Sequence, residues 1–83
     1  MEAILILAGP FSSCKTTQLI WEELCVARGI SLNTFYLTND DGKEVSIKLN
    51  IKSFPAFIIN NKVLAVGHPD EKSAEEIMRT LPL

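Results

Sequence analysis

The sequence predicts one α/β domain with a mixed sheet flanked by helices, in the order β-α-β-(α or β)-β-β-α. Two patterns predict this class. A short apolar run precedes a helical pattern near the start, and two β-rich runs meet at Asn60-Asn61 before a final helical pattern. The first is typical of a parallel βαβ unit, and the second of an antiparallel hairpin with a helix packed on it. The chain of 83 residues has the length of one domain, which we assign to residues 1–83.

The composition limits the classes of partner. Hydrophobic residues make up 47% of the chain and charged residues 22%, which is ordinary for a globular protein. The net charge is −2 and the basic residues are scattered, so we expect no nucleic-acid partner. The apolar run near the start, residues 3–8, is too short to span a bilayer and follows Glu2 instead of a positive charge. We therefore expect a cytoplasmic protein without a membrane segment, and the presence of only two cysteines agrees with this expectation.

The first helix and the strand before it are the clearest elements. Residues 3–8 form a continuous apolar run, which suits a central strand covered on both faces. Ser12 and Ser13 are predicted N-caps of the helix that follows. Gly29 is predicted to end that helix in the left-handed conformation. The predicted apolar stripe of the helix comprises Leu19, Ile20, Trp21, Leu24, Cys25 and Ala27.

The other elements follow from strand composition and turn residues. Residues 32–37 have the composition of a strand, and residues 39–42 (NDDG) predict a turn. A tight hairpin is predicted at Asn60-Asn61, because asparagine tolerates positive φ. Residues 73–76 (SAEE) form a capping box ahead of the last helix. The apolar positions of that helix are Ala74, Ile77, Met78 and Leu81, and Pro82 is predicted to end it.

Residues 43–51 carry two conflicting patterns. Four apolar residues alternate strictly with polar ones: Val45, Ile47, Leu49 and Ile51. Alternation by itself predicts a strand. A short helix would instead bury Val45 and Leu49 at i and i+4, and would leave Ile47 poorly placed. From the residues alone, both interpretations stay open.

We expect the functional site at the turn between the first strand and the first helix, residues 9–17 (GPFSSCKTT), which we call the corner. A phosphate-binding loop is disfavoured, because Cys14 stands where that loop needs its second glycine and Pro10 removes a backbone donor. A thiol in the first helical turn lies near the positive end of the helix dipole, and the adjacent Lys15 also favours a thiolate. Cys14 fits equally well as a small buried residue at the helix start, so both interpretations stay open.

Two downstream segments carry a resemblance to a known family. Residues 51–57 (IKSFPAF) and 58–67 (IINNKVLAVG) resemble the thioredoxin-like superfamily, and are most similar to compact glutaredoxin-like proteins of bacteria and archaea. The resemblance implies the thioredoxin-like fold, with a cis Phe54–Pro55 bond and the proline facing the cysteine corner. It also implies that the backbone of Phe54 is free to pair with an extended peptide. Since relatives carry a short helix before the proline strand, we adopt a helix within residues 43–51, which gives a four-stranded mixed sheet in the order β-α-β-α-β-β-α.

The same resemblance implies a departure at the corner, where relatives read roughly G-x-x-C-P-x-C-K. When Cys14-Lys15 is aligned with the end of that motif, Phe11 takes the place of the first, nucleophilic cysteine. Ser12 and Ser13 are then the intervening residues. Cys14 corresponds to the resolving cysteine, and a two-cysteine disulfide cycle cannot run.

Four further residues are candidates for the site or the core: Cys25, His68, Phe11 and Phe54. Cys25 lies eleven positions beyond Cys14, which is roughly 16 Å along one helix and out of disulfide reach, and we predict it to be a core residue. His68 follows Gly67, which is predicted to end a strand, so we expect it in a loop; because it is the single histidine, we expect no metal site. Phe11 and Phe54 are predicted either to seal the corner or to form an apolar contact patch.

Two functions follow from these residues and the resemblance. The first is a monothiol thiol–disulfide oxidoreductase with a role in redox homeostasis, in which Cys14 and Lys15 act on protein thiols and glutathione is the candidate co-substrate. The second is a redox-inactive module that binds an extended peptide segment through the cis-proline groove. Its predicted contact residues are Phe11, Ser12, Ser13, Phe54 and Pro55. A third possibility is a dimer or an electron-transfer accessory that pairs Cys14 between chains. We expect no resident cofactor, and either a monomer or a weak homodimer.

Overall fold

A computed structural model of the chain describes residues 2–9 and 11–81. The elements are β1 (Glu2–Leu7), α1 (Ser12–Ala27), β2 (Ser31–Tyr36), α2 (Asp40–Lys48), β3 (Ala56–Ile59), β4 (Lys62–Val66) and α3 (Glu71–Arg79). This is the predicted order β-α-β-α-β-β-α.

The four strands form one mixed sheet in the order β2-β1-β3-β4. β1 pairs in parallel with β2 and antiparallel with β3, and β3 pairs antiparallel with β4. β1 is therefore an inner strand, which explains its continuous apolar sequence. The predicted mixed sheet and the central position of the first strand are confirmed.

Helices lie on both faces of the sheet. α1 and α3 contact each other, and they pack on the face that holds Leu5, Leu7 and Phe57 of the strands. Tyr36 packs against that same core, whereas the neighbouring Phe35 faces α2. Because successive strand residues point to opposite faces, α2 lies on the other side of the sheet.

The centre of the core is an aromatic pair between α1 and β3. The rings of Trp21 and Phe57 are stacked with their centroids 3.9 Å apart, and both residues are about 1% exposed. The pair stabilises the fold mainly through the large apolar area that the two rings remove from water. Trp21, which the sequence placed on the apolar stripe, is a main core residue.

The predicted apolar stripe of α1 is partly wrong. The fully buried residues of α1 are Cys14, Thr17, Trp21 and Cys25. Leu19 is 57% exposed, and Ala27 is exposed as well. The buried line follows the contact with the sheet and α3, and it accepts polar Thr17 because the hydroxyl of Thr17 has a hydrogen-bond partner.

Two predicted helix starts are also wrong. α1 has Phe11 at its N-cap without a side-chain hydrogen bond, so Ser12 and Ser13 are its first helical residues. α3 begins earlier than the capping box predicts, because Asp70 is the cap and accepts a hydrogen bond of 2.7 Å from the backbone N–H of Ser73. Aspartate is as strong an N-cap as serine, and its position three residues before Ser73 extends the helix by almost one turn.

The conflict over residues 43–51 is resolved as a helix. α2 runs from Asp40 to Lys48, and Ile47 is 81% exposed, as the helical interpretation requires. The predicted turn at residues 39–42 is wrong, because Asp40 and Asp41 lie in the first turn of α2. Carboxylates are favourable there because they face the positive end of the helix dipole.

The tight turns agree with the prediction. Asn60 and Asn61 have φ values of 53° and 62°, and Gly29 ends α1 with a φ of 68°. Pro10 and Pro82, which the sequence assigned to the corner and to the end of the last helix, lie outside the described residues. Within residues 2–9 and 11–81, no helix is both long enough and apolar enough to cross a membrane.

Candidate functional site

The corner between β1 and α1 separates its polar and aromatic side chains from its thiol. Phe11, Ser12, Ser13 and Lys15 are all exposed. Cys14, within the same helical turn, is only 2% exposed and belongs to the hydrophobic core cluster. The surface at the start of α1 is therefore aromatic and hydroxylated, and the thiol lies beneath it.

Phe11 is the most prominent apolar group of this surface. Its side chain is 60% exposed. The ring lies against Gly9, since a Cβ atom added to Gly9 would come within 2.9 Å of Cε2 of Phe11. Gly9 thus leaves room for the ring to rest on the backbone, where one side of it remains open to solvent.

The proline segment lies at the same end of the sheet. Ala56, the first residue of β3, pairs with Ile6 near the end of β1. Phe54 and Pro55 immediately precede Ala56, so the register places them beside the corner. The Phe54–Pro55 peptide bond, which the resemblance implied to be cis, is cis in the structure.

Pro55 is fixed, whereas the backbone of Phe54 is open. Pro55 is fully buried, and its carbonyl accepts a hydrogen bond of 2.7 Å from the N–H of Gly67. Phe54 is half-buried, and among the described residues its N–H and C=O have no backbone partner. An extended polypeptide can use such groups for main-chain hydrogen bonds.

A hydrogen bond ties α1 to the loop between β4 and α3. Oγ1 of Thr17 lies 2.7 Å from Nδ1 of His68. Thr17 is 1% exposed and lies one turn beyond Cys14. His68 is in a loop, as predicted, but sequence analysis missed its partner. The signal was present, because a threonine on a buried helix face needs a hydrogen-bond partner.

The two thiols are both free and both buried. Cys25 is 1% exposed, and its burial raises the pKa of the thiol to about 11, so the thiolate is scarce at neutral pH. The prediction that Cys25 is a core residue is confirmed. In the described part of the chain, no group of three His, Cys, Asp or Glu residues is arranged to hold a metal ion.

Comparisons with known proteins agree with this fold. No protein-family model matches the chain. A protein of Archaeoglobus fulgidus named as a probable thioredoxin is 26% identical over 68 residues, which cover 82% of this chain and 75% of that protein.

Two solved structures have a similar fold. One, described as a malarial protein, has a TM-score of 0.69 at 16% identity and covers 99% of this chain and 97% of its own. The oxidised thioredoxin of Plasmodium falciparum has a TM-score of 0.68 at 22% identity, with 94% of this chain and 78% of its own covered. The resemblance to thioredoxin-like proteins is confirmed, and the chain has the thioredoxin-like fold.

Proposed function

We propose that this thioredoxin-like chain binds an extended segment of a partner protein at its corner surface, which we define as Phe11, Ser12, Ser13 and Phe54. The observation that carries the proposal is the arrangement at the helix start, where Phe11 is 60% exposed above a thiol that is 2% exposed. Recognition at this surface needs no exposed thiol.

Each part of the corner surface has a distinct role in this proposal. The N–H and C=O of Phe54 pair with the main chain of the bound segment. Pro55 is buried and bonded to Gly67, so it holds Phe54 in place. The ring of Phe11 supplies the apolar contact, and the hydroxyl groups of Ser12 and Ser13 form a polar rim around it.

The experiment compares variants in binding to short synthetic peptides, with and without a central cysteine. Phe11→Ser should weaken binding about ten- to a hundredfold, since a buried phenylalanine side chain is worth roughly 1.5–3 kcal/mol. Leu19→Ser is the matched control, because Leu19 is a similarly exposed apolar residue on α1, two turns beyond the corner. If Phe11→Ser binds the peptides as tightly as the wild type does, the corner surface is not the binding site.

A second candidate function is monothiol exchange at Cys14. It is favoured by the relative named as a probable thioredoxin and by the position of Cys14 in the first turn of α1, beside Lys15. The Cys14 thiolate would attack one sulfur of a disulfide and form a mixed disulfide, while the other sulfur leaves as a thiolate. A second thiol such as glutathione would then release Cys14. Since Cys14 is 2% exposed, this route requires local opening of the corner.

The two functions are separated by treating the folded protein with oxidised glutathione. Monothiol exchange predicts one added glutathionyl group, which is located on Cys14 by mass spectrometry and is absent from Cys14→Ser. The binding function predicts that Cys14→Ser retains its affinity for peptides without cysteine. Loss of that affinity would instead show that the thiol takes part in binding.

A further inference from the structure

The two edges of the sheet differ in how they are protected from pairing with other strands. β4 carries a register irregularity against β3, between Phe57 and Ile58, and it begins with Lys62. A bulge and a lysine are common devices against edge-to-edge pairing. β2 (Ser31–Tyr36, SLNTFY) contains neither charge nor proline, and it pairs with β1 over six residues without an irregularity.

The outward-facing backbone groups of β2 follow from its pairing with β1. The N–H of Leu37 bonds to the carbonyl of Leu7, at 2.8 Å, so residue 37 faces β1. Backbone groups alternate in direction along a strand, and Leu32, Thr34 and Tyr36 therefore face away from β1. Of these, Tyr36 already accepts a bond of 2.9 Å from the N–H of Asn39.

The open part of this edge is thus centred on Leu32 and Thr34. Their N–H and C=O groups have no strand partner among the described residues. α2 contacts the far end of β2, where Gly42 approaches the carbonyl of Tyr36. The groups of Leu32 and Thr34 lie before that contact.

We propose that the β2 edge pairs with β2 of a second copy of this chain, antiparallel and with two-fold symmetry, so that the two sheets become continuous. The register that uses the open groups places Leu32 opposite Thr34 of the other copy, in both directions. Asn33 of one copy then lies opposite Asn33 of the other, where the two amide side chains can bond to each other.

Charge favours a second copy over an unrelated strand. No residue of β2 is charged, so self-pairing places no like charges opposite each other. Exposed Arg28 lies just before β2, and exposed Asp40 and Asp41 lie just after it. Antiparallel pairing brings the start of each strand to the end of the other, so each arginine approaches the aspartates of the other copy. This inference is independent of the corner surface, because β2 is at an edge of the sheet.

The test is sedimentation of the full chain over a range of concentrations, with charge variants at Asn33, which is exposed. The wild type should form dimers. Asn33→Lys and Asn33→Asp should each raise the dimer dissociation constant roughly tenfold or more, since like charges then meet at the two-fold axis. An equimolar mixture of the two variants should dimerise again. The matched controls are Val66→Lys and Val66→Asp on the other edge strand, which should dimerise like the wild type.

Three results would overturn the proposal. The wild type could remain monomeric at all concentrations, which would show that β2 does not pair with a second copy of the chain. The dimer could persist in both Asn33 variants, which would place the interface elsewhere. It could also disappear in Cys14→Ser or in the presence of a reducing agent, which would identify a disulfide-linked dimer.

Discussion

The different exposure of Cys14 and Phe11 determines which side chain of the corner a partner can contact. Their side chains are three positions apart, yet one is 2% exposed and the other 60%. A helix turns by about 100° per residue, so the start of α1 presents only some of its side chains to the core. Cys14 takes the position that packs against the sheet, and Phe11, at the N-cap, remains outside. The group that the corner presents to solvent is therefore an aromatic ring and not the thiol, and this is the basis of the proposed binding function.

Cys25 gives a prediction for stability at high pH. Burial raises the pKa of its thiol from 9.0 to about 11, so the folded protein keeps a proton that the unfolded chain loses above pH 9. Because the native state binds more protons in this interval, the free energy of unfolding falls as the pH rises from about 9 to about 11. The contribution of the Cys25 thiol to the free energy of unfolding is roughly 2–3 kcal/mol. It is fully present below pH 9 and is lost by about pH 11.

The measurement is urea unfolding of the wild type and Cys25→Ala, at about pH 8 and about pH 11. The variant is expected to be less stable at the lower pH, because it leaves a cavity, and to lose less stability than the wild type on going to the higher pH. The same loss in both proteins would contradict the assignment to Cys25.

Among the elements, α2 is the one that the hydrophobic pattern of the sequence could not assign to helix or strand. The alternation at residues 43–51 is real, but Ile47 is 81% exposed and the segment is helical. β1 lies between β2 and β3 in the sheet, so the connection from β2 to β3 must pass over one face of the sheet, and a helix satisfies its backbone groups as it crosses. The sequence showed both patterns, and only the family resemblance decided between them. The contact between Gly42 and the carbonyl of Tyr36 left no sequence signal at all.

Gly42→Ala tests that contact. Alanine within a helix is normally more favourable than glycine, by up to about 1 kcal/mol. Here its Cβ atom would collide with the carbonyl oxygen of Tyr36, and overpacking of this kind costs roughly 1–3 kcal/mol. We expect Gly42→Ala to be less stable than the wild type in urea unfolding. Lys43→Ala, at an exposed position of the same helix, should stay within about 0.5 kcal/mol of the wild type. A more stable Gly42→Ala would show that α2 is not pressed against β2.

At the scale of the whole molecule, the sheet and its connections could be predicted because they depend on local patterns. The apolar run of β1, the Asn60-Asn61 turn and the segment around Pro55 each carry a local signal, and together they define the mixed sheet. The state of the candidate site could not be predicted, because burial depends on contacts between distant parts of the chain. The sequence around Cys14 fitted a reactive thiol and a buried core residue equally well, and in the structure Cys14 belongs to the hydrophobic core cluster. The bond between Thr17 and His68 spans 51 positions and is of the same long-range kind.

The most direct measurement is the rate at which each cysteine of the folded protein reacts with iodoacetamide at neutral pH, resolved by peptide mapping. With Cys14 2% exposed and Cys25 1% exposed, both should be modified at least roughly a hundredfold more slowly than in the unfolded chain, since reaction must await local opening. Peptides without cysteine should still bind under these conditions. Modification of Cys14 at nearly the unfolded rate, with Cys25 still protected, would contradict a recognition surface above a buried thiol and would indicate an accessible, reactive Cys14.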